Sequence, residues 1–151
     1  MAGLTNYLRN KLVDWFHRGV AFTPPDPVYI TLVSTTPTPS AGGTELSGSG
    51  FARVSVAKST TAWAATNADG STSGTSSGTN GTTSNNAIID FGTAAAAWGT
   101  ATHWEMYDAS TAGNRLMYGV IVDGLGVATP RSIASGDPVS FPISALRPIW
   151  A

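Results

Sequence analysis

The 151-residue sequence has no cysteine, which excludes disulfides and thiolate metal sites. Packing or association must supply the stability. Charge is scarce as well. Asp, Glu, Lys and Arg make up 11% of the chain, against about 25% in an ordinary globular protein. The net charge is −1, so neither a basic field for nucleic acid nor an acidic tail is present. So thin a charge cover points either to a surface that meets protein or to a β protein kept soluble by hydroxyls. Long apolar runs are missing too: Arg9, Lys11 and Asp14 interrupt the N-terminal stretch. Neither a secretory signal nor a membrane span is expected.

Reactive groups are equally sparse. The two histidines, His17 and His103, lie far apart in sequence, which makes a histidine-rich metal site a poor reading. No Gly-x-Ser-x-Gly elbow is present, and Gly48-Ser49-Gly50 runs into Phe51-Ala52-Arg53 and not into a phosphate loop. Glu105 and Asp108, three apart in a strand, point to opposite faces and suit paired acid–base work badly. No catalytic, cofactor-binding or metal residue is expected, and the chain reads as a non-enzyme.

What is present begins with a helix over residues 4–18. Thr5 or Asn6 caps it, Leu4, Leu8, Leu12, Trp15 and Phe16 recur on one side, and Gly19 supplies a left-handed end. A helix this short is marginal alone, so its apolar side must dock on its own sheet, a neighbouring subunit or a lipid surface. After Gly19 the period becomes that of strands. Val28 to Val33, Phe51 to Ala57, Ala87 to Phe91, Thr102 to Asp108, Arg115 to Val122 and Val139 to Ile143 are candidates, with a turn at Asp108 to Asn114. Pro142 and Pro148 cannot donate to a ladder, so the last strand is expected at an edge or leaving as an arm. The Ser/Thr/Gly/Asn tract at 66–86 has little to offset its ordering entropy and reads as a flexible surface loop.

These elements predict one all-β domain over residues 1–151. A β-sandwich or jelly-roll-like unit over 27–150 follows one short N-terminal amphipathic helix. Of the five tryptophans, Trp150 stands out, because an aromatic one residue from the C-terminus implies a tail pinned to its own sheet or to a partner.

Several stretches carry a family resemblance. They are residues 4–15 with 27–37, Gly43-Thr44-Glu45 with Gly48-x-Gly50-Phe51-x-Arg53, Trp98-Gly99-Thr100-x-Thr102-His103 within 89–119, and residues 134–141. In these the chain resembles small structural proteins of tailed bacteriophages, labelled tail-fibre-like, some of which decorate heads. The 66–86 tract is longer than that family's usual connection, and Ser144-Ala145-Leu146-Arg147-Pro148 stands where a glycine-containing turn is expected. The resemblance implies a virion protein made in the host cytoplasm. Its first implied role is capsid decoration: binding the major capsid protein on the outer surface and clamping neighbouring subunits, with homotrimers of the chain as a natural state. The alternative is a tail-fibre or tail-associated subunit, with Trp63 and Trp98 stacking on a host surface glycan. No nucleic acid, membrane or cofactor partner is implied. Leu8, Leu12, Trp15, Phe16 and Trp150 are the expected contact residues.

Overall fold

The computed structural model describes residues 3–67, 72–78 and 81–150. Strand β1 (Gly3–Leu4) precedes helix α1 (Asn6–Arg18). Strands β2 (Val28–Val33), β3 (Val54–Val56), β4 (Ile89–Thr93), β5 (Gly99–Ala101), β6 (His103–Tyr107), β7 (Arg115–Val120), β8 (Arg131–Ile133) and β9 (Pro138–Phe141) follow. The chain is all-β with one short helix. Five strands form an antiparallel sheet in the order β1-β7-β6-β2-β3, while β4 pairs with β9 and β5 with β8 as two ribbons.

The period of two sorts the main sheet into unlike faces. Leu32 lies opposite Trp104, Ile30 opposite Met106, and Met106 opposite Met117. That face is buried and joins Phe91, Ile133, Val139 and Phe141 of the ribbons in one apolar cluster. The two most specific sequence stretches meet inside it. Phe51 packs edge-on to Trp98 with ring centroids 5.2 Å apart, and the Trp98 indole N–H donates to the Ser49 carbonyl at 3.0 Å. Gly48, at φ 150°, has no room for a side chain, since a Cβ there would lie 2.7 Å from the Trp98 ring.

The opposite face is polar and closed. Glu105 is fully buried, with Thr31 and Tyr118 as its neighbours across the strands. Its carboxylate accepts from Arg115 Nη1 at 2.7 Å, the Gly43 amide at 2.9 Å and the Tyr107 hydroxyl at 3.0 Å. Arg53 stacks its guanidinium 3.7 Å from the Tyr107 ring centre and donates through Nε and Nη2 to Glu45, which also accepts from Thr31 Oγ1. The Arg53 hydrogen bonds hold the Glu45 carboxyl below its ordinary value. Burial pushes the Tyr107 phenol up from 10.0 to about 12, helped by the Glu105 charge and hydrogen bond.

Some boundaries differ from the sequence expectation. The helix starts at Asn6, not at residue 4, because Gly3 and Leu4 pair with Tyr118 and Met117 of β7. Thr5 is the N-cap: its hydroxyl accepts from the Leu8 amide at 3.3 Å and donates to the Arg115 carbonyl at 2.6 Å, so the cap also ties the helix to the sheet. Gly19 takes the left-handed end at φ 68°. Strands β1, β5 and β8 were not legible, being two or three residues long and mostly Gly, Ala, Ser, Thr or Arg. Residues 68–71 and 79–80 of the expected flexible loop lie outside the described residues.

Of the described remainder, residues 72–77 are exposed, as expected of a surface loop, whereas 81–86 are tied to the C-terminal tail. Asn85 is fully buried. Its side-chain amide donates to the Ala87 and Pro142 carbonyls, and its side-chain carbonyl accepts from the Leu146 amide. Backbone bonds from Thr83 to Pro148 and from Trp150 to Gly81 then lay the C-terminal tail along this segment. The chain thus leaves the β4–β9 ribbon after Phe141 as an arm held by its own loop.

Two outcomes follow from the polar face. Glu105→Ala leaves Arg115 buried and unpaired, and urea unfolding should show a loss of about 3–5 kcal/mol; a loss near that of a surface substitution refutes the assignment. The second concerns alkali. Native Tyr107 keeps its proton above pH 10 while the unfolded chain loses it, so its contribution is full below pH 10 and disappears as pH rises towards 12. Ultraviolet titration should show one of the four tyrosines ionising near pH 12, and Tyr107→Phe should remove that late step.

Candidate functional site

The polar cluster is engaged in holding strands and loops together. His103 Nδ1 lies 2.8 Å from the Thr102 hydroxyl, and burial lowers its pKa. Asp108 is spent on its turn, accepting from the Asn114 amide and side chain. Among the described residues no group of three or more His, Cys, Asp or Glu is placed to hold a metal.

One concave feature of the surface is apolar. Helix α1 lies on β7 through Leu8, which is buried. Between the helix, the strand floor and the C-terminal tail opens a groove of about 480 Å³. Leu12, Trp15 and Phe16 form one wall, and Val28, Met106, Leu116 and Met117 form the floor. Phe22, Pro24, Pro25, Trp63, Pro148 and Trp150 complete the lining. Lys58 is the one charged residue in the lining.

Burial falls away along the helix. Leu8 is 4% exposed, whereas Trp15 is 50% and Phe16 72% exposed. Trp15 and Phe16 meet edge-on at 4.8 Å. Trp150, 50% exposed, stands at the groove because the tail is bonded to Gly81. Val13 and Val20 extend the exposed apolar surface around the end of the helix. Three aromatics, each exposing half its area or more, leave roughly 250–400 Å² uncovered, at the scale where an apolar patch on a monomer marks an interaction site.

All five residues expected from the sequence as contacts therefore line one groove. Leu8 fills the core beneath it and holds the helix, while Trp15, Phe16 and Trp150 are the accessible members. Phe22, Pro25 and Lys58 were missed, because chain reversals that no local pattern announces bring them to the groove. The sugar-stacking assignment of Trp98 is corrected: that residue is 3% exposed and bonded through its indole, so it offers no free face. Trp63 is half-buried in the groove wall. A surface almost without hydrogen-bonding groups can exclude water around an apolar or aromatic anchor.

Leu8→Ala should cost about 2–5 kcal/mol, since it opens the helix–sheet contact. Phe16→Ala, at an exposed site, should change stability by only about 0.5 kcal/mol or less. Denaturant unfolding of the two variants checks this, and equal losses would mean that Phe16 packs in the core.

The family model described as Podophage GP4 fiber I protein gp80 matches residues 3–148, spanning the helix, all the strands and nearly all of the tail. No curated protein matches the chain.

Proposed function

The chain belongs to the Podophage GP4 fiber I protein gp80 family, and on that premise we propose that it is a non-enzymatic subunit of the phage fibre apparatus, held in the particle through its apolar groove. Membership makes it a phage structural protein associated with the virion. The observation that carries the contact assignment is the exposure of Trp15, Phe16 and Trp150 around one groove, on a chain with little charge elsewhere. Large aromatics that are fixed by their backbone lose little entropy on association and bury much area, as the centre of a protein interface requires.

The fibre description of the family supports a tail position ahead of the capsid-decorating role that the sequence favoured. Decoration is kept as the second reading, on a specific observation: among the described residues the one helix has 13 residues, so no long coiled coil of the kind that builds a fibre shaft is present. In that reading the partners are the major capsid protein and further copies of this chain. The groove's shortage of polar groups speaks against a sugar as its occupant.

Copies per virion, from quantitative mass spectrometry of purified particles, separate the two positions. A ratio of a few per cent of the major capsid protein is expected for a tail-borne subunit, and a ratio near parity would overturn that and place the chain on the head lattice. Trp15→Asp should fold like the parent by circular dichroism yet be depleted from particles; full incorporation would remove the groove from the contact.

A further inference from the structure

Beyond the sheet lies a second exposed apolar feature that the functional reading leaves unused. After β7 the chain makes a tight hairpin, closed by the Val122–Ala128 bridge and by the Asp123 amide donating to Val127 at 2.9 Å. The Asp123 carboxylate accepts from the Leu125 and Val127 amides, each at 2.9 Å, which fixes the tip. Leu125 at that tip is 90% exposed and Val127 59% exposed. A braced turn ending in a bare leucine is an apolar knob.

The knob cannot fill its own chain's groove. Leu116 and Met117, in the groove floor, stand at the start of β7, and the hairpin follows its far end at Val120. Five residues of extended chain separate Met117 from Val122, a distance of about 16 Å, with the tip further on. Knob and groove therefore lie towards opposite ends of one strand. Their charges are also complementary. Lys58 lines the groove and Asp123 sits two residues from Leu125, and neither belongs to an ion pair among the described residues.

We propose that the chain self-associates head to tail, with the Leu125 hairpin of one copy seated in the Trp15–Trp150 groove of the next and Asp123 facing Lys58. The inference rests on the structural-subunit reading and names a second copy as the groove's occupant. Unlike patches make a heterologous contact, which closes into a ring when its rotation permits and otherwise extends.

Sedimentation velocity on the full chain tests this without any particle. The parent should form larger species as concentration rises. Leu125→Glu, which removes the knob, and Trp15→Glu, which spoils the groove, should each weaken association by roughly tenfold or more, as expected for loss of a central anchor. Their equimolar mixture is decisive. The Trp15→Glu chain keeps a knob and the Leu125→Glu chain keeps a groove, so together they should form a pair that does not grow. Lys58→Glu serves as a second groove variant if Trp15→Glu fails to fold. A monomeric parent, a Leu125→Glu chain that associates like the parent, or a mixture that stays monomeric overturns the proposal. A chain that is abundant in virions yet monomeric alone would lose this inference and keep the structural-subunit reading.

Discussion

Burying a carboxylate without water is affordable only where several donors converge on it, and Glu105 imposes that requirement on most of one side of the molecule. Its donors come from β6 itself, from β7 through Arg115, and from the segment after β2 through the Gly43 amide. Arg115 also reaches the Thr38 carbonyl, so the guanidinium that neutralises the charge clamps the same segment over the sheet. Tyr107, Arg53, Glu45 and Thr31 extend the network in an unbroken series. No buried side-chain polar atom among the described residues lacks a partner. The groove opens on the other side of the sheet, at the end where β7 begins.

The open end is itself built by a second buried polar residue. Asn85 joins the segment after the Ser/Thr/Gly tract to the chain beyond β9. The tail must turn sharply to meet it, and Ser144 turns in the left-handed region at φ 66° with its amide on the Asn85 carbonyl. This is where the resemblance led one to expect a glycine, and a non-glycine residue there carries a local cost of about 1–3 kcal/mol that the Asn85 contacts offset. As a result the tail arrives beside Gly81, and Trp150 lines the same groove as the helix aromatics.

The contrast between Trp98 and Trp150 shows where legibility stops. Both read as aromatics near loops. Trp98 is core because Gly48 makes room for its ring and Ser49 offers a carbonyl to its indole, contacts that span some fifty residues. Trp150 is half exposed because the hydrogen bonds of its tail hold the backbone and leave the side chain outward. Trp98, expected to present a free face, is buried, whereas Trp150 is half exposed, and the difference is entirely long-range.

Local chemistry in the sequence determined the helix and its C-terminal end, the longer strands, the edge position of the last strand, and the apolar character of Leu8, Leu12, Trp15, Phe16 and Trp150. Those features follow from 3.6- and 2-residue periods, from capping side chains and from the missing proline donor, all of which act within a few residues. Tertiary structure alone decided that the five residues share one groove, that Leu8 is inside while Phe16 is outside, that β1, β5 and β8 exist, and that residues 81–86 are tied to the C-terminal tail. Each of these depends on contacts between residues far apart in the chain, such as Thr5 with Arg115 and Asn85 with Leu146. A local pattern can state that a side chain needs burial or a partner, but only the folded chain determines which distant group supplies it.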